Sequence, residues 1–148
     1  MKARAMAVVE KTVLVPFTAE QMFDLVDEVE RYPEFLPWCG RSHVEFRDGQ
    51  TTRATLQINY HGIKQSFSTQ NANTRPGLID IRLVSGPFRK LLGSWRFTPL
   101  GDAGCKIAFC LEYEFASGVL EKIVGPVFSH IANTFVDAFA RRAEQLYG

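Results

Sequence analysis

A chain of 148 residues, 46% hydrophobic and 22% charged, is long enough to bury one sizeable core and too apolar to stay disordered. Its formal net charge of +1 excludes a global field that would draw it to nucleic acid or an anionic membrane, and leaves room only for a local basic patch. Three cysteines (Cys39, Cys105 and Cys110) form an odd set without a secretory signal, which argues against a disulfide framework and for free thiols.

The start, Met1-Lys2-Ala3-Arg4-Ala5-Met6-Ala7-Val8-Val9, is basic and then apolar, but Glu10 and Lys11 cut it short of a signal-peptide core. No apolar run reaches bilayer-spanning length, so a cytoplasmic prokaryotic protein is expected. Ala7 to Val15, ending at Pro16, predicts a strand. Thr18, with Gln21 three positions on, makes a capping-box signature. Met22, Phe23, Leu25, Val26 and Val29 then supply the apolar face of a helix. A second short helical turn is expected from Glu30 to Phe35, stopped by Pro37. The run Tyr32-Pro33-Glu34-Phe35-Leu36-Pro37-Trp38-Cys39 is a rigid apolar turn that either plugs a core or forms the lip of a cavity.

From about Val44 the pattern switches to period two. Asp48-Gly49 is a hairpin signal. Beyond it Thr52, Ala54, Leu56, Ile58 and Tyr60 fall on a dry face, and Arg53, Thr55, Gln57, Asn59 and His61 on a wet one. Turns at Gly62, Pro76-Gly77 and Gly86-Pro87 separate strands over Ile63 to Asn71, Leu78 to Val84 and Leu91 to Pro99, which leaves Arg89-Lys90 in a loop. In the last strand Ile107, Phe109, Leu111, Tyr113 and Phe115 alternate with Lys106, Ala108, Cys110, Glu112 and Glu114. Cys105 and Cys110 therefore point to opposite faces and share neither a metal nor a disulfide. Val119 to Tyr147 has helical spacing, with Gly125-Pro126 expected to kink or break it. Short turns require an antiparallel meander, and the only large apolar cover for its dry face is the C-terminal helix. The expectation is one α+β domain over residues 1–148, a curved antiparallel sheet wrapped around a long helix.

This order resembles the START-like helix-grip superfamily. Three stretches carry the likeness: Asp27 to Cys39, Gly86-Pro87-Phe88-Arg89-Lys90-Leu91 with Trp95-Arg96-Phe97, and Phe135 to Ala143. More narrowly the chain resembles the polyketide-cyclase-like family that holds coenzyme Q-binding proteins and ribosome association toxins. The resemblance implies a deep apolar tunnel between sheet and helix, and it implies either of two roles.

Catalytic chemistry finds little support. No glycine elbow frames a serine, His43, His61 and His130 are scattered, and no metal-ligand spacing is present. Glu112 and Glu114 share a strand face but read as solvated. No catalytic or metal-binding residue is assigned and no cofactor is required. The first role expected is non-enzymatic binding of a ubiquinone-like isoprenoid quinone, or another hydrophobic ligand, in support of respiration. The assigned lining is Tyr32, Phe35, Leu36 and Trp38 near a mouth, Tyr60 and Trp95 on the sheet, and Phe128, Ile131 and Phe135 on the helix. The second role is that of a toxin that binds the large ribosomal subunit and blocks subunit association, with Arg41, Arg53, Arg89 and Lys90 as RNA contacts. A polyketide cyclase-like enzyme ranks third. A membrane surface, placing the protein at the periphery of the inner membrane, and a small antitoxin protein complete the expected partners.

Overall fold

The computed structural model describes residues 6–148; the basic start Met1 to Ala5, read above against a signal peptide, lies outside the described residues. In chain order the elements are β1 (Ala7–Val15), α1 (Ala19–Asp27), a 3₁₀ helix (Val29–Glu34), β2 (Cys39–Arg47), β3 (Thr51–Tyr60), β4 (Ile63–Thr74), β5 (Leu78–Ser85), β6 (Phe88–Leu100), β7 (Gly104–Phe115) and α2 (Gly118–Tyr147). The seven strands form one antiparallel sheet in the order β1-β7-β6-β5-β4-β3-β2. The chain lays down one edge, crosses through α1 and the 3₁₀ helix to the other, and returns strand by strand until β7 closes on β1.

Local chemistry sets the corners. The Gln21 N–H donates to Thr18 Oγ1 at 3.1 Å and the Thr18 N–H to Gln21 Oε1 at 2.9 Å, the reciprocal capping box that starts α1. At the other end of α1 the Tyr32 hydroxyl donates to the Val26 carbonyl at 2.5 Å, satisfying one of the acceptors a helix C-terminus leaves open. Asp48 Oδ1 accepts from the Gln50 and Thr51 N–H groups at 2.8 and 2.7 Å and shapes the β2–β3 hairpin. His61 (φ 50°) and Gly62 (φ 79°) make the β3–β4 turn in the left-handed region, unusual for a histidine and natural for a glycine. Arg75, in the β4–β5 turn, holds Asp24 of α1 through two 2.9 Å hydrogen bonds.

The inner sheet face and α2 bury the aromatic residues. Trp95, 1% exposed, settles which side of β6 faces in; its ring lies 4.7 Å from Phe109, 5.5 Å from Phe135 and 5.2 Å from Phe139. A second cluster gathers Phe67, Phe88, Tyr113 and Phe115 around Phe128, with ring separations of 4.7 to 6.1 Å. Each fully buried aromatic of this size contributes ~1.5–3 kcal/mol of transfer free energy, so these two clusters hold helix and sheet together.

Four expectations need correction. β2 begins at Cys39 rather than Val44, because the Asn59 N–H already donates to the Trp38 carbonyl at 2.8 Å and draws the chain into the sheet. β6 begins at Phe88, so Arg89 and Lys90 are strand residues and not loop residues; Phe88 pairs with Phe115 and stacks on it at 5.0 Å, and a bulge between Phe88 and Lys90 hides the alternation. Gly125-Pro126 does not end the helix. α2 runs unbroken for 30 residues because Val124 and Phe128, buried on either side, keep that turn on the sheet. By length and composition α2 is also apolar enough to cross a membrane, contrary to the reading that no run is. In the fold it is the gripped helix, with Val124, Phe128, Ile131, Ala132, Val136 and Phe139 buried.

Candidate functional site

The two aromatic clusters do not quite meet. Between them α2 carries the small buried residue Ala132 where its neighbours one turn away are Phe128 and Phe135. The missing side-chain volume leaves a cavity of about 70 Å³ between helix and sheet. Its walls come from Val26 and Val29, the turn residues Tyr32 and Trp38, Leu56 of β3, Phe67, Thr69 and Asn71 of β4, Ile81, Leu91, Trp95, Phe109 and Leu111 of the next three strands, and Phe128, Ile131, Ala132 and Phe135 of α2.

Of the nine residues assigned to a ligand site, six line this cavity: Tyr32, Trp38, Trp95, Phe128, Ile131 and Phe135. The other three do not. Leu36, 1% exposed, is packed into the core behind the turn. Phe35 lies against Tyr32 and Phe139 at 6.1 and 5.0 Å, with the Arg142 guanidinium 5.1 Å above its ring. Tyr60, at the end of β3, stacks on His130 of α2 at 5.9 Å and meets the edge of His61, so its ring is taken up at the helix flank. The apolar turn is thus a plug more than a lip: Tyr32, Leu36 and Trp38 are all buried. A second feature of the turn escapes sequence reading. Arg142, near the end of α2, donates to Glu34 Oε1 at 2.7 Å and latches the turn to the helix.

Polar groups in the cavity wall are few. The Tyr32 phenol is engaged by Val26, and burial, reinforced by the Asp27 charge, pushes its ionisation well above the ordinary tyrosine range. Thr69 and Asn71, two residues apart on the inner face of β4, make no side-chain hydrogen bond among the described residues, and Asn71 Oδ1 is fully buried without a partner there. Asn73, next on that face, donates from Nδ2 to Thr52 Oγ1 at 3.0 Å, and Thr52 donates in turn to Asp27 Oδ1 at 3.0 Å. The signal for Thr69 and Asn71 was present in the sequence: both share the parity of Phe67, which the alternation assigns inward.

The assigned basic residues share a face without converging. Arg41 on β2, Arg53 on β3 and Lys90 on β6 pair with outward-facing positions of their neighbours. β3 and β6 are three strands apart, roughly 14 Å at the usual spacing. Lys90 Nζ lies 3.8 Å from Glu112 and Arg89 Nη1 3.9 Å from Glu114, so the carboxylate pair read as merely solvated offsets both cations. Arg53 instead donates to Gln70 Oε1 at 2.7 Å, and Arg82, opposite Gln70 on β5, has no ion pair among the described residues. Burial pushes the Cys39 thiol up to about 11, and Cys105 and Cys110 stand on opposite faces, buried and half-buried. Among the described residues no group of three or more His, Cys, Asp or Glu is placed to hold a metal ion.

A seven-stranded antiparallel sheet closed on one long C-terminal helix around an apolar hollow defines the START-like helix-grip class. The family described as "Polyketide cyclase / dehydrase and lipid transport" matches residues 15–140, and the chain belongs to it. Ribosome association toxin RatA of Pseudomonas aeruginosa is 41% identical over 140 residues, spanning 95% of this chain and 97% of that protein. Coenzyme Q-binding protein COQ10 homolog B of Xenopus laevis is 30% identical over 89% of this chain, which spans 56% of that longer protein. The crystal structure of the Zhui aromatase/cyclase from Streptomyces sp. R1128 superposes with a TM-score of 0.81 over 95% of both chains at 16% identity, a likeness of fold alone.

Proposed function

We propose that this chain is a ribosome-association protein of the RatA type, which binds the large ribosomal subunit, blocks subunit joining and performs no catalysis. One observation carries the reading: 41% identity that runs end to end along a RatA toxin. A likeness of that extent reaches surface residues as well as the core, where the shared fold would by itself account only for the core. A protein of this kind works in the cytoplasm, where a small antitoxin protein would be its natural regulator.

The isoprenoid quinone reading has less support. The coenzyme Q-binding relative is more distant. Ligand pockets run from ~300 Å³ upward, whereas the hollow here measures about 70 Å³. A polyprenyl tail would require the plug or α2 to move.

The test is sedimentation. Purified protein is added to dissociated ribosomal subunits, magnesium is raised to drive reassociation, and the mixture is resolved on a sucrose gradient. The expected result is protein in the large-subunit fraction and a reduced peak of joined ribosomes. Full reassociation, with the protein left at the top of the gradient, overturns the proposal.

A further inference from the structure

The two edges of the sheet are built differently. β2 is blunted: its ladder to β3 is interrupted by bulges after Cys39 and after Val44, the 3₁₀ helix packs against it, and Arg47 is tied to that helix through Glu30 at 2.8 Å. Bulges, charges and a covering element are the devices that keep a sheet edge from pairing with another chain. β1 has no bulge and no cover. It pairs with β7 in unbroken register from Ala7 to Val15, holds no proline, and has no backbone partner on its other side among the described residues. Two of its outward side chains, Val8 and Leu14, are aliphatic and 53% and 69% exposed.

The order of residues along β1 points to what fits this edge. Ala7-Val8-Val9-Glu10-Lys11-Thr12-Val13-Leu14-Val15 has the same character read in either direction, with aliphatic residues on both sides of a polar centre. Two copies laid edge to edge and antiparallel, about a two-fold axis through Lys11, set Ala7 opposite Val15, Val8 opposite Leu14, Val9 opposite Val13 and Glu10 opposite Thr12. Apolar then meets apolar and polar meets polar on both faces, the self-complementarity that a two-fold interface requires. Opposed residues share a face, so the axis must pass through a residue and the register moves only in whole steps. Moving the axis to Glu10 sets that carboxylate against itself and Val9 against Lys11; moving it to Thr12 sets Glu10 against Leu14 and Lys11 against Val13. In the matched register only Lys11 meets its own kind. Each copy brings the counter-charge, because Asp137 Oδ2 of α2 lies 3.7 Å from Lys11 Nζ. We infer that a second copy of this chain occupies the β1 edge, joining two seven-stranded sheets into one across paired β1 strands. This interface lies outside both the hollow and the arginines of the outer face, and its test needs no ribosome.

Sedimentation velocity of the full chain over a concentration series reads the oligomeric state, and amide hydrogen exchange reads the edge. The expected results are a monomer–dimer equilibrium and β1 amides that exchange more slowly as protein concentration rises, while those of β2 do not change. Val8→Lys should raise the dissociation constant about tenfold, since the substitution enters the interface twice. Val8→Lys with Leu14→Glu on the same chain should bring it back toward the wild-type value, because position 8 of one copy faces position 14 of the other in this register alone. A chain that stays monomeric up to its solubility limit overturns the inference and leaves the edge to a strand of another protein. A dimer whose β1 exchange is independent of concentration, or one that Val8→Lys leaves intact, overturns it as well. The wild-type exchange measurement decides the matter even where a variant fails to fold.

Discussion

Tyr32 shows how one side chain joins three parts of the molecule. Its hydroxyl closes the C-terminus of α1 through Val26, and its ring packs on Phe139 of α2 at 5.2 Å and on Phe35 of the turn. Burial opposes its ionisation, so the folded protein keeps the phenolic proton where the unfolded chain releases it near pH ~10. Above that pH the unfolded state binds fewer protons than the native state, and stability falls as pH rises. The slope from this group approaches about 1.4 kcal/mol per pH unit. Tyr32→Phe should cost about 1–2 kcal/mol at neutral pH by stranding the Val26 carbonyl, and should flatten the alkaline loss. Urea melts of both proteins from pH 8 to 11 check this; parallel pH profiles would show that the phenol does not carry the effect. The run around Tyr32 was legible as rigid and apolar, but its fate as a plug was not. Whether an aromatic turn closes a cavity or frames one depends on where α2 puts Phe135 and Phe139, which local sequence does not encode.

Elements followed their patterns wherever one periodicity ruled. The parity of Thr52, Ala54, Leu56 and Ile58 on β3, and of Ile107 to Phe115 on β7, sorted inner from outer faces because a strand alternates strictly. It failed at Phe88, where a bulge breaks the alternation, and on β4, where the inner face carries Thr69 and Asn71 in place of aliphatic residues. Pro126 shows the same tension inside a helix. Its ring removes the N–H that would bond the Lys122 carbonyl, yet packing on either side keeps α2 whole. The site is exposed, so alanine there adds a hydrogen bond without disturbing the core. Pro126→Ala should raise the unfolding free energy by ~1–3 kcal/mol, read from the urea midpoint. An unchanged or lower midpoint would mean that the proline relieves a strain which a regular turn would impose.

At the scale of the whole molecule, a net charge of +1 leaves little long-range attraction for ribosomal RNA, so the arrangement of charges has to supply it. The outer sheet face offers two unlike groups. Arg89 and Lys90 sit against Glu114 and Glu112 and present almost no net field. Arg53 and Arg82 flank Gln70 from the strands on either side, about 10 Å apart at the usual strand spacing, with no carboxylate paired to either among the described residues. That separation suits two phosphates along one RNA strand better than one phosphate. If the large-subunit contact uses this face, Arg53→Glu with Arg82→Glu should release the protein from subunits in the gradient, whereas Arg89→Glu with Lys90→Glu should weaken association far less. Because all four side chains are exposed or half-exposed, each double variant should keep its urea midpoint nearly unchanged. Association should also weaken as salt rises. The dependence should be shallower after the Arg53 and Arg82 reversal, since a phosphate that no arginine neutralises keeps its counterions and adds nothing to the salt slope. Retained binding with an unaltered salt slope in that variant would move the ribosomal interface off the outer face of the sheet.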